Sequence, residues 1–206
     1  KNLEFTATEQ YKLIRANLDF TLPENEKCPI IGVTSSIRGE GKSTTAVNLS
    51  YVLAEKGSKV LLIDGDMRRP SQARLLIEKA SPGLSNVLAG LCEADVAIRR
   101  NIKPNLDVLF SGEIPPNPLE LLGSPRMKEL IDTMSERYDV ILVDTPPISV
   151  VSDACEIANV TDGVLFLVRQ NETERDAVRK GIKQMELSNC RLLGFVINGV
   201  VEEGSK

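Results

Sequence analysis

The sequence predicts an α/β fold: a single domain on a mostly parallel central sheet with helices on both faces. Three observations predict it. Strand-like apolar runs alternate along the chain with helix-patterned segments, the order that builds parallel sheets. The runs Val60-Leu61-Leu62-Ile63, Val140-Ile141-Leu142-Val143 and Val164-Leu165-Phe166-Leu167-Val168 are apolar at every position rather than every second one, which marks strands covered on both faces. A length of 206 residues, 42% hydrophobic and 26% charged, suits one domain with a sizeable core and requires no second one.

From the amino end, residues 8–20 read as an amphipathic helix. Tyr11, Ile14 and Leu18 form its apolar stripe, and Glu9, Lys12 and Arg15 stand at three-residue steps on neighbouring faces. Residues 1–27 are read as this helix and a linker, and 28–206 as the core. The core opens with a buried strand at 29–34, followed by a helix over 43–56 and a strand over 59–64. Residues 68–79 and 111–118 read as loops, the second because of Gly112, Pro115, Pro116 and Pro118. Further strands are expected at 106–110, 140–144, 163–168 and 192–198, with helices over 126–138 and 174–187. In such a sheet ligands sit beyond the carboxyl ends of the strands.

The segment Val33-Thr34-Ser35-Ser36-Ile37-Arg38-Gly39-Glu40-Gly41-Lys42-Ser43-Thr44 lies between a strand and a helix, where a phosphate-cradling loop belongs. Gly39 and Gly41 have no Cβ, so backbone N–H groups can turn toward phosphate oxygens. The following helix adds its positive dipole end. Lys42 would neutralise the β and γ phosphates, and the Ser43 hydroxyl is the expected ligand of a nucleotide-bound Mg²⁺. Ser36 stands where the usual pattern has a glycine, so the strand–loop–helix context carries the reading. The loop predicts a nucleoside triphosphate site formed by Ser36, Gly39, Glu40, Gly41, Lys42, Ser43 and Thr44.

Two strands end in acids on the same sheet edge: Asp64, with Asp66 just beyond, and Asp144. Phosphoryl transfer needs cations to neutralise oxygen charge and a carboxylate to orient the nucleophile or receive its proton. The other use of aspartate at such positions is as a helix cap or turn residue. Arg68 and Arg69 follow, suited either to transition-state charge or to surface ion pairs.

These residues resemble the bacterial tyrosine kinases of capsule and exopolysaccharide biosynthesis, a P-loop family unrelated to eukaryotic protein kinases. The resemblance rests on the loop through Gly39-Glu40-Gly41-Lys42-Ser43-Thr44, on Leu61-Leu62-Ile63-Asp64-Gly65-Asp66-Met67-Arg68, on Ile141-Leu142-Val143-Asp144-Thr145-Pro146-Pro147, and on Pro115-Pro116-Asn117-Pro118 with Glu120-Leu121-Leu122. It implies a P-loop NTPase fold and an ATP-dependent protein-tyrosine autokinase regulating polysaccharide polymerisation and export. By the same resemblance Lys42, Asp64, Asp66 and Arg68 are catalytic, Ser43, Asp66 and Asp144 hold Mg²⁺, and Asn198 contacts adenine, although a turn residue before Gly199 is an equal reading of that asparagine. Glu9, Lys12 and Arg15 match an element that packs on the next subunit of a ring, with Lys12 replacing an arginine whose fork it cannot reproduce.

The implied partners are a transmembrane polysaccharide co-polymerase, fused or separate, a tyrosine phosphatase and further copies of the chain, with the domain cytoplasmic at the inner face of the membrane. The chain opens on Lys1, not methionine, so preceding segments are expected. Its tyrosines are Tyr11, Tyr51 and Tyr138, without the family's cluster before Lys206, so weak self-labelling is expected. A formal net charge of −4 argues against a nucleic-acid surface. Cys28, Cys92, Cys155 and Cys190 are dispersed and there is no histidine, so reduced thiols are expected rather than a zinc site. Two alternatives stay open. A ParA/MinD-like ATPase would carry a second lysine in the loop, where this chain has Ile37. A nucleotide-controlled assembly switch would need no important phosphotransfer.

Overall fold

Among residues 5–22 and 28–200, which the computed structural model describes, seven strands form one sheet. The expected linker beyond residue 22 and the chain end at Lys206 lie outside the described residues. The strands are β1 Ile30–Ser35, β2 Val60–Asp64, β3 Arg99–Lys103, β4 Leu106–Leu109, β5 Val140–Asp144, β6 Gly163–Arg169 and β7 Leu192–Asn198. Their order is β3-β4-β2-β5-β1-β6-β7. Every pairing is parallel except β3 with β4, so the expected mostly parallel sheet is present.

The longer helices are α1 Phe5–Thr21 and α2 Lys42–Glu55 on one face, then α7 Pro125–Ser135 and α9 Arg175–Leu187 on the other. Between them come the short helices α3 Gln72–Leu76, α4 Leu84–Leu88, α5 Ala94–Ala97, α6 Pro118–Leu122 and α8 Asp153–Ala158. In α7, Pro125 supplies a pre-set first turn. Met127, Leu130, Ile131 and Met134 then bury one face of that helix. On the other side, Ile14 and Leu18 of α1 and Leu49, Val52 and Leu53 of α2 pack over Ile31, Val33, Leu62 and Leu142.

Successive strand residues divide between the two layers: Val60 and Leu62 enter one, Leu61 and Ile63 the other, as the two-residue period requires. Two expectations need correction. Residues 68–79 are not all loop, because α3 occupies five of them, too few for a helical period to be seen. Coverage of both faces holds for the central strands but not for β7, where Phe195 and Ile197 are 49% and 62% exposed.

Candidate functional site

The loop between β1 and α2 is shaped by two glycines in the left-handed region, Gly39 at φ 85° and Gly41 at φ 95°. Lys42 and Ser43 open α2, with Lys42 buried and Thr44 exposed. The carboxylate of Glu40 is also buried. It accepts from the Ile37 N–H at 2.9 Å and from the Ser36 hydroxyl at 3.4 Å, and the Thr173 hydroxyl donates to it as well. Ser36 and the Glu40 side chain are therefore engaged with each other. Asn198 donates from Nδ2 to Glu40 O at 2.9 Å and accepts the Gly199 N–H at 2.8 Å. Its amide thus braces the loop, and its bond to Gly199 is the one the turn reading expects.

Parallel pairing of β2 and β5 sets Asp64 directly beside Asp144. Gly65 permits this junction, since a Cβ there would lie 2.8 Å from Asp144 O. Both carboxylates are fully buried, and Oδ1 of each has no hydrogen-bond partner. Burial pushes the Asp144 carboxyl up to about 6, against the Ser43 hydroxyl, Lys42 and Gln72, which favour its ionised form. Burial, and then the Asp144 charge, raises Asp64 well above the ordinary carboxylate range.

Gln72, which sequence reasoning missed, is the bridge. Its N–H donates to Asp64 Oδ2 at 3.2 Å, and its Nε2 donates to Asp144 Oδ2 at 2.8 Å and Ser43 O at 3.3 Å. The Gln72 Oε1 is also buried without a partner. Among the described residues no group of three or more His, Cys, Asp or Glu side chains forms a metal cage. Mg²⁺ seldom needs one, being held by one or two carboxylates and the substrate's phosphates. The unpartnered Oδ1 of Asp144, whose carboxylate interacts with the Ser43 hydroxyl, fits such an ion.

Asp66 is half-buried and its Oδ1 accepts the Arg69 N–H at 3.1 Å. Arg68 forks onto Asp153, Nε to Oδ2 at 2.6 Å and Nη2 to Oδ1 at 3.0 Å. An ion pair was one of the two uses expected of Arg68. Its buried partner Asp153, at the start of α8, was not anticipated, and nothing local in the sequence signals a partner 85 residues away. The segment after β5 is tied to β1, because Thr34 Oγ1 donates to Pro146 O at 3.1 Å and Thr145 N–H to Val33 O at 3.0 Å.

A cavity of about 620 Å³ adjoins the loop, lined by Tyr11 and Gln10 of α1, Thr45 of α2, and Asn198 and Val200. On the same helix Lys12 pairs with Glu9 at 2.8 Å. Arg15 donates to Val52 O at 2.7 Å, so of these three only Glu9 and Lys12 are turned to each other on the outside.

A family model described as an AAA domain matches residues 28–187. The chain is 40% identical over 192 residues to the tyrosine-protein kinase YwqD of Bacillus subtilis, covering 93% of this chain and 81% of that one. It is 32% identical to the tyrosine-protein kinase etk of Escherichia coli, covering 97% of this chain but 27% of the relative. The solved kinase domain of E. coli ETK superimposes with a TM-score of 0.92 at 32% identity, covering 97% of this chain and 78% of that one. The septum site-determining protein MinD of Pyrococcus horikoshii, solved with Mg-ADP, gives 0.71 at 26% identity, covering 85% and 72%.

Proposed function

This chain belongs to the family of bacterial tyrosine-protein kinases, and on that premise we propose that it transfers the γ-phosphoryl group of ATP to protein tyrosine hydroxyls in the service of capsule or exopolysaccharide assembly. One observation carries the reading: Asp64 and Asp144, buried side by side with an unpartnered oxygen each, face a loop built to hold a triphosphate. Lys42 neutralises charge on the β and γ phosphates, and the backbone N–H groups of the loop hold their oxygens. The cavity beside Asn198 takes the nucleoside.

The residues that would hold Mg²⁺ are Ser43 and Asp144, with Asp66 at the edge; when bound, the ion offsets phosphate charge during transfer. A phenol has a pKa near 10, so no carboxylate here removes its proton beforehand. Asp64 orients the hydroxyl and takes the proton late, as the new phosphorus–oxygen bond forms. Burial raises its proton affinity, so the ionised carboxylate that enters the step accepts that proton more readily than an exposed one would.

Among the described residues no helix is long and apolar enough to cross a membrane. The chain spans only 27% of etk, which supports a membrane-spanning polysaccharide co-polymerase, fused or separate, holding this domain at the cytoplasmic face. A tyrosine phosphatase would reverse the modification, and the Glu9–Lys12 face of α1 would meet the next subunit of a ring. The fold likeness to MinD is outweighed by Ile37, which offers no lysine to a neighbouring site.

The test mixes the chain with ATP, Mg²⁺ and a tyrosine-rich peptide, and compares wild type with Lys42→Met and Asp64→Asn. Phosphotyrosine on the peptide, lost in both variants, is expected. Nucleotide-dependent assembly with no transfer in any of them would replace this reading with an assembly switch.

A further inference from the structure

We propose that Thr173, together with Arg169 and Asn198, is a positioning residue for the phosphate loop and acts through Glu40; the inference rests on the ATP reading above. Glu40 poses a physical problem. A free carboxylate in a loop that receives a triphosphate would repel it. Here the carboxylate is 1% exposed and receives donors from Ile37 N, the Ser36 hydroxyl and the Thr173 hydroxyl. Thr173 serves both ways, since its Oγ1 also accepts the Arg169 N–H at 2.8 Å. The negative charge is thereby turned into an internal fastening between the loop and the end of β6.

The loop's carbonyls are fastened on the same side. Arg169 Nη1 donates to Gly39 O at 3.1 Å, and Asn198 Nδ2 donates to Glu40 O at 2.9 Å. In a planar trans peptide the carbonyl and the following N–H point in opposite directions. Holding Gly39 O and Glu40 O against the ends of β6 and β7 therefore turns the Glu40 and Gly41 N–H groups away from those strands. These are the groups that a phosphate would use. Asn198 comes this close only because residue 41 is glycine, as a Cβ there would stand 2.2 Å from its Nδ2. Residues at the ends of the last two strands thus set the aim of a loop at the first.

Thr173→Val keeps the side-chain shape and loses both hydrogen bonds, whereas Thr173→Ser keeps both. Binding of Mg·ADP to the whole chain is measured by titration calorimetry for wild type, both variants and Lys42→Met. ATP dependence of peptide phosphorylation and nucleotide-free melting are recorded beside it. Thr173→Val is expected to weaken binding about tenfold, the size of one hydrogen bond to a charged acceptor, with Thr173→Ser within about twofold of wild type. KM for ATP should rise while kcat at saturating ATP holds within about twofold.

Wild-type affinity in Thr173→Val, or a loss that serine does not restore, overturns the proposal. Should Thr173→Val fail to fold, Thr173→Ala, which also loses both hydrogen bonds, carries the test with the same expected loss, and wild-type affinity there overturns it. A wild-type chain that binds no Mg·ADP, or a Lys42→Met variant that binds it normally, overturns the ATP reading instead.

Discussion

Gln72 Nε2 donates a 2.8 Å hydrogen bond to Asp144 Oδ2, joining the first turn of a five-residue helix to the end of the sheet's central β5. The same amide reaches Ser43 O at 3.3 Å, so one side chain ties the start of α2 to Asp144. Gln72→Ala should lower kcat by about ten- to a hundredfold, the scale of a misplaced reacting group, with little change in KM for ATP. Gln72→Glu should be worse, because it adds a charge to a buried acidic pair. Steady-state phosphorylation of a tyrosine peptide decides both.

Asp144 is raised by burial from 3.8 to about 6. A carboxylate raised on folding contributes stability below its unfolded value and loses that contribution as pH rises through its folded one. Asp64 shifts the same way, through burial and its neighbour's charge. Melting of the nucleotide-free protein should therefore fall as pH rises from about 4 to about 7. Asp144→Asn should flatten that fall and raise the neutral-pH melting temperature by roughly 2–4 °C, while abolishing phosphotransfer. A steeper fall in the variant would count against the electrostatic account.

Arg68→Ala strands the buried Asp153 carboxylate without its fork. The guanidinium is 41% exposed, so the loss should be about 1–2 kcal/mol rather than that of a fully buried pair. Arg68→Lys should recover less than half of it, since lysine offers no second parallel donor. Urea unfolding of the nucleotide-free chain reads this directly.

Much of the central sheet was legible because β2, β5 and β6 each carry an unbroken apolar run of four or five residues, and their ends match the expected bounds within a residue. The left-handed turn of the β1–α2 loop at Gly39 and Gly41 and the placing of Asp64 and Asp144 at strand ends were legible for a related reason, since both are set by local sequence. What could not be read were partners in space. Gln72, Asp153 and Thr173 act on residues 72, 85 and 133 positions away, and each is an ordinary polar residue in a short helix or a turn. The contact of Asn198 with Glu40, which spans 158 positions, was hidden for the same reason.

Tyr138 is buried and donates to Asp107 Oδ2 at 2.7 Å, and Asp107 also accepts the Asn101 N–H at 2.7 Å. Burial and that carboxylate push the phenol above its ordinary value. Tyr138→Phe should cost about 1 kcal/mol and leave peptide phosphorylation unchanged. A drop in radiolabel incorporated into the chain itself would mark Tyr138 as a target after all.

Because Asp64 and Asp144 occupy matching positions on hydrogen-bonded strands, the distance between them cannot relax while the β2–β5 ladder survives. Heat or denaturant should then erase catalytic competence and far-ultraviolet ellipticity in a single shared transition, without an inactive intermediate that keeps its sheet.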